Sequence, residues 1–300
     1  MTKIIGVDNG NEMLETSEGV QFINKLSVGT IDMNKDDIKV NYNGVNYTIG
    51  VDEGSANIGN NKHKKINYKV SLLTGIANSY NDVNIDCKVV VGLPVELYNN
   101  SEHKEQVKSE ILGWGRQTIK VNNKEKKINI LDVEVFPESG VVFSDRERFK
   151  NERTLVIDLG GSTVDISLWN GLRLEAQKTY KHGMVTLYEQ IISIVNNQKN
   201  TNFKNSEAKY MINKDKYIIN QEEQDITFIK PIIELYVNGL TSWINQSFEI
   251  EKVNSIQLIG GGAIMLEEHL KDEYGKAQLF ENPGFANANT FKTIGDAIWL

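Results

Sequence analysis

The stretch VIDLGGSTVDIS, Val156 to Ser167, most constrains what this chain can fold into. An apolar β-branched run leads into Asp158, then Gly160-Gly161-Ser162, then a second alternating run over Val164 to Trp169. The pattern predicts a strand, a tight glycine turn and a returning strand, with one carboxylate at the tip. Gly160 and Gly161 reach backbone angles closed to side chains and let a ligand approach the amides. Such a turn reads as a phosphate or other anion cradle beside a metal-facing Asp. Asp and Gly also serve hairpin geometry alone, so one copy leaves both readings open.

The chain begins with a second copy. KIIGVDNGN, Lys3 to Asn11, is again a short apolar strand ending in Asp8, followed by the polar turn Asn9-Gly10-Asn11. Asp8 and Asp158 lie about 150 residues apart. The spacing predicts two related half-domains, each giving a phosphate loop and a carboxylate to a shared cleft. A hard cation such as Mg²⁺ takes a few protein oxygens plus phosphate oxygens and water, which two opposed Asp side chains supply.

A chain of 300 residues is long enough for two domains with sizeable cores. Its net charge of −7 argues against broad non-specific nucleic-acid binding, which needs clustered Lys and Arg. Any link to DNA would run through a partner. Cys87 is the one cysteine, which excludes an intramolecular disulfide; it sits in the strand-like IDCKVVVG and reads as a buried apolar residue. The histidines His63, His103, His182 and His269 have no ligand spacing and read as surface or incidental residues. The N-terminus enters a strand instead of a signal peptide and no run of 18 apolar residues occurs, so the expected location is cytoplasmic.

Along the chain, Val20 to Asp82 reads as a small subdomain with a hairpin at Asn43-Gly44 and a polar loop over Gly54 to Lys65. Ile66 to Tyr80 has helical spacing, and Ile85 to Gly92 a central strand. Ser101 is the expected N-cap of the next helix. Asn122-Asn123 turns a hairpin, and Leu131 to Pro137 forms a separate strand followed by a helix beginning near Glu138. The charged run Asp145 to Arg153 is the expected domain boundary. Beyond the Asp158 turn, Asn170-Gly171 leads into another strand and His182-Gly183-Met184 into an amphipathic helix. A short helical piece follows at SEAKYMI, then a long helix from Glu222 to Phe248 with Pro231 near its start. Ser255 to Gly260 is a buried strand emptying into Gly260-Gly261-Gly262, with a helix behind it and another at the C-terminus.

The order strand-Asp-turn, strand-Pro-Glu-helix, strand-Asp-Gly-Gly, strand-Gly-Gly-Gly-helix and terminal helix resembles the actin/Hsp70/sugar-kinase ATPase superfamily along essentially the whole chain. FPESG, IDLGGSTVDIS, LIGGGA and NPGFANANTFKTIGDA are most similar to the ParM-type bacterial actins that segregate plasmids. The fold so implied is α/β, the actin-like ATPase fold, with two RNase H-like domains around a nucleotide cleft. Domain I would span 1–150, with a small insert at about 20–82, and be completed by the helix at 287–300. Domain II would span 151–286, with a small subdomain at about 196–230.

The resemblance implies ATP as cofactor, with GTP as the alternative, and Mg²⁺ held by Asp8 and Asp158, largely through water. The amides of Asn9, Gly10 and Asn11 and of Gly160, Gly161, Ser162 and Thr163 would grip the phosphates. Glu138 would orient or activate the attacking water, with Asp165 in the same network. Gly260, Gly261 and Gly262 would let adenosine lie against the backbone, with Met265 on the base. Gly183 and the helix bearing Glu207 and Lys209 would approach ribose and base. Glu138 also suits a helix cap, Asp165 a hairpin and Met265 a core. One departure stands out: the first turn continues Asn11-Glu12-Met13-Leu14 without the Lys or Gln that relatives often carry there. Lys25 or another basic residue would have to substitute, or amides and Mg²⁺ suffice.

The implied function is a polymerising ATPase whose filaments move plasmid DNA through a DNA-bound adaptor of the ParR type, with no direct nucleic-acid or membrane contact. The fold alone also admits a small-molecule kinase or a cell-shape or division actin homologue. No separate substrate-binding Asp motif favours the kinase, and neither terminus offers a membrane-binding amphipathic helix.

Overall fold

The computed structural model describes residues 2–29, 37–51, 54–56 and 59–300. It divides into two compact units, Met1–Arg146 with Gly284–Leu300, and Glu147–Pro283. Parts of the expected insert and of its polar loop lie outside the described residues.

The first unit is built on a ten-stranded mixed sheet. Its centre is Asn84–Leu93, flanked in parallel by the Asp8 strand, Lys3–Asn9, and by Lys124–Pro137. Where a strand is covered on both faces it must be apolar, and Val89, Val90 and Val91 are all fully buried. Alternation sends them to different cores. Val89 and Val91 pack with Leu72 and Ile76 of the helix Ile66–Ser79, whereas Val90 packs with Phe136, Phe291 and Ile294. Each such side chain contributes roughly 1.5–3 kcal/mol by leaving water. Phe291 and Ile294 belong to the C-terminal helix, Ala286–Trp299, which lies directly on the Asp8 strand. Gly6 makes that approach possible, since a Cβ there would stand 2.1 Å from the Ala288 carbonyl oxygen.

Both Asn-containing hairpins form, with positive φ at Asn43 and Gly44 and at Asn122 and Asn123. Three expectations in this unit fail. Lys124–Pro137 is one continuous strand, not two; a register shift between Ile130 and Asp132 turns Leu131 outward and keeps the apolar faces in phase. No α-helix begins at Glu138: Ser139 takes φ +63°, and a 3₁₀ turn follows, Val141–Phe143. The N-cap of the helix Ser101–Gly113 is Asn100, whose side chain accepts from the His103 amide at 3.1 Å, so Ser101 is the first helical residue.

The second unit holds a five-stranded sheet in the order Arg173–Tyr180, Val164–Asn170, Arg153–Leu159, Ser255–Ile259, Ala277–Leu279. The first three form an antiparallel meander and the last two join in parallel. Leu155, Ile157 and Leu159 share a core with the helices Met184–Lys199, Lys230–Ser247 and Ala263–Glu273. The expected helix from Glu222 is shorter. Asn220 and Gln221, both at positive φ, turn a hairpin that pairs Lys216–Ile219 with Glu222–Asp225. The helix starts at Lys230, with Pro231 in the first turn, where a missing amide costs no hydrogen bond. The SEAKYMI piece is a 3₁₀ turn, Asn205–Tyr210.

Cys87 is fully buried, and burial pushes its thiol up to about 12. His63 and His103, read as surface or incidental residues, are interior and meet edge to face at 5.2 Å between ring centroids. Among the described residues, no helix is long and apolar enough to cross a membrane.

Candidate functional site

The Asp8 turn is held by its carbonyl oxygens. The ammonium of Lys62 donates to the Asn9 carbonyl at 2.7 Å. Asn24 secures two more: its side chain donates to the Gly10 carbonyl at 2.6 Å and its backbone amide to the Glu12 carbonyl at 2.7 Å. The Asn9 side chain faces inward too, accepting from Asn24 at 2.7 Å and donating to the Tyr68 carbonyl at 3.2 Å. With the carbonyls engaged on the inner side, the amides of Gly10 and Asn11 make no hydrogen bond to a described residue. Two adjacent amides without an acceptor are suited to an anion.

The Asp158 turn reaches the same result with other parts. Gly160 O accepts from the Met184 amide at 3.0 Å, Gly161 O from Val185 at 2.9 Å and Ser162 O from Gly183 at 3.1 Å. The first residues of the helix Met184–Lys199 thus spend their donors on the turn, and the amides of Gly161, Ser162 and Thr163 remain without a described acceptor, whereas the Gly160 amide, expected to join them, donates to the Asp158 carbonyl at 3.1 Å. Gly183 is required here: a Cβ would stand 2.4 Å from the Gly161 oxygen and 2.6 Å from the Thr163 nitrogen.

The carboxylates differ in their settings. Asp8 accepts from the Asn287 side-chain amide at 3.0 Å. Desolvation raises its pKa, opposed by the Asn287 hydrogen bond and the nearby charge of Lys62. Asp158 stands beside Gly260, which has φ +85°; a Cβ at that glycine would lie 2.6 Å from Asp158 Oδ1. Asp165 pairs across the hairpin with Asp158, but both its oxygens are occupied, by Thr163 Oγ1 at 2.9 Å and Thr179 Oγ1 at 2.5 Å. That arrangement braces the turn. Among the described residues, no group of three or more His, Cys, Asp or Glu side chains gathers as a metal site.

Glu138 belongs with Asp8. Its amide donates to the Leu93 carbonyl at 2.8 Å, and its Cγ would lie 3.0 Å from a Cβ placed at Gly92. Burial, and then the charges of Glu138 and Asp8, hold the Tyr68 hydroxyl in its neutral form. In the second unit, a Cβ at Gly262 would meet Met184 Cγ at 2.4 Å, whereas Gly261 has open space where a Cβ would stand. Met265 accepts from the Tyr188 hydroxyl through its sulfur at 3.1 Å, and its carbonyl accepts from Asn213 at 3.1 Å. Glu207 accepts from Tyr217 at 2.7 Å, and Lys209 lies over the Tyr210 ring at 4.9 Å. Neither makes a described hydrogen bond to the glycine turns. Lys62, Asn24, Asn287 and Thr179 were not distinguished in the sequence; each acts across a long separation, and only the polar character of the first turn hinted at such partners.

Two family models tile the chain: actin-like proteins N-terminal domain over 6–140, and plasmid segregation protein ParM, C-terminal, over 149–293. A search of curated protein sequences gives no match. Solved structures of similar fold include Ta0583, an archaeal actin homolog, in complex with ADP, 14% identical with TM-score 0.81, covering 99% of this chain and 100% of that one. A 15-stranded ParM filament from Clostridium botulinum is 21% identical, with TM-score 0.78 and the same coverage. Apo pSK41 ParM is 15% identical, with TM-score 0.72, covering 99% and 98%. The two models account for nearly every residue, and the neighbours carry the same actin-like fold over their full lengths, so the chain belongs to the ParM-type actin-like proteins.

Proposed function

We propose that this chain is a nucleotide-dependent, filament-forming ATPase. The observation that carries the reading is the shared construction of the Asp8 and Asp158 turns, each with carbonyls bonded inward, amides left to face an anion, and one carboxylate beside them. Each turn would offer its free amides to phosphate, Gly10 and Asn11 in the first and Gly161 to Thr163 in the second, and its carboxylate, Asp8 or Asp158, to Mg²⁺. Mg²⁺ supplies charge neutralisation on the phosphates when bound. Glu138 orients the attacking water, the positioning role on which phosphoryl transfer depends. The open backbone at Gly261 accepts adenosine, with Met265 beside the base.

Assembly is supported by the ParM family match and by the filament formed by the Clostridium botulinum relative. In this reading nucleotide-bound subunits polymerise, hydrolysis loosens their contacts, and a DNA-binding adaptor of the ParR type couples the filament to plasmid DNA. High-speed pelleting tests it: the protein should sediment with Mg²⁺ and ATP and stay in the supernatant with ADP or with chelator. Sedimentation indifferent to nucleotide would overturn it.

A further inference from the structure

Lys62 sits on a 3₁₀ turn, Lys62–Lys64, ahead of the helix Ile66–Ser79, and is only 8% exposed. An interior ammonium has three N–H donors, and this one makes a single described hydrogen bond, to the Asn9 carbonyl at 2.7 Å. In a trans peptide the carbonyl of Asn9 and the N–H of Gly10 point in opposite directions. Fixing the carbonyl inward therefore fixes the Gly10 N–H outward. A charged donor on the carbonyl also polarises the peptide, which strengthens its N–H as a donor on the far side. Gly10 is closely confined, since a Cβ there would stand 2.9 Å from the Met13 carbonyl oxygen. The turn thus has one orientation, with a buried positive charge behind it that also acts on the Asp8 carboxylate.

We infer that Lys62 is an anion-binding positioning residue, which orients and polarises the Asn9-Gly10 peptide and gives the first turn its preference for polyphosphate. The inference rests on the nucleotide reading above. The charge comes from a separate element and acts through the backbone, so the turn itself needs no basic residue. A simple brace predicts something different. Losing a brace weakens every ligand of the turn alike, whereas losing a charge weakens ligands in proportion to their own charge.

The test is calorimetric titration of the full chain with ATP, ADP and AMP at fixed Mg²⁺, using wild type, Lys62→Met, Lys62→Gln and Lys62→Arg. Lys62→Met should weaken ATP by about tenfold or more and AMP by less than about threefold, with ADP between, as expected for one lost charge-assisted interaction. Lys62→Gln, which retains a donor for the carbonyl, should lose the same preference, and Lys62→Arg should largely keep it. Equal losses for the three nucleotides, or none, in a variant with a cooperative melt would overturn the assignment alone. If Lys62→Met does not fold, Lys62→Gln reads the same ratio. A wild-type protein that binds none of the three would overturn both this inference and the nucleotide reading.

Discussion

Asn287 ties Asp8 to the Glu138 segment. Its side-chain N–H donates to Asp8 Oδ2 at 3.0 Å while its carbonyl accepts from the Ser139 amide at 2.9 Å, so one amide from the C-terminal helix spans two strand ends. Asp8 and Glu138 are far apart in sequence and share no strand, and this bridge fixes their spacing. Asn287→Ala leaves a buried amide and a carboxylate short of a partner, which should cost about 1–3 kcal/mol of stability in urea. Because the loss is one of positioning, turnover should fall about tenfold or more while nucleotide affinity stays near wild type. An unchanged turnover number in the folded variant would show that the bridge is structural only.

His63 predicts an acid-sensitive fold. Desolvation and the adjacent His103, with smaller effects from Lys64 and Lys62, push its pKa down to about 4, and Glu110 opposes them weakly. The folded state therefore prefers the neutral ring. Its contribution is present above the unfolded value near 6.5 and is lost as pH falls toward 4. Asp8, with its pKa raised, contributes with the opposite sign, favouring the fold where the carboxyl is protonated. Urea midpoints measured between pH 7 and 4 should decline steeply in wild type and much less in His63→Phe. Parallel slopes in the two proteins would rule out His63 as the source.

The two glycine positions around the Asp158 turn separate folding from binding. Gly183→Ala drives a methyl into the Gly161 carbonyl and should cost about 2–4 kcal/mol, read by thermal melting. Gly261→Ala meets nothing within 4 Å and should melt within about 0.5 kcal/mol of wild type. If adenosine lies against that backbone, the same methyl should weaken nucleotide binding about tenfold or more. Undiminished affinity in Gly261→Ala would place the base elsewhere.

The strand-Asp-glycine turns were legible because their signal is short-range: a buried strand, a carboxylate and residues that permit the turn lie within about a dozen positions. What was not legible is carried over distance. Asn287 reaches Asp8 across 279 residues and Lys62 reaches Asn9 across 53, and neither has a local pattern that announces its partner. His63 and His103 read as incidental because burial of a histidine depends on helices that meet only in three dimensions. The helix expected from Glu222 had favourable helical composition, but the Asn220-Gln221 turn sets a hairpin instead. The helix expected after Glu138 fails for a local reason. A Cβ at Gly140 would stand 2.8 Å from the Phe136 ring, so the segment is folded back on its own strand.

The most direct measurement is right-angle light scattering recorded together with phosphate release after adding Mg²⁺ and ATP to wild type and to Glu138→Ala. Wild type should scatter more on mixing and then decay as phosphate appears. Glu138→Ala should rise and hold a plateau, with phosphate release slowed about 100-fold or more, the usual effect of removing a group that positions or activates water. Steady phosphate release with flat scattering, over a wide range of protein concentrations, would contradict the account and point to a small-molecule kinase using the same two turns.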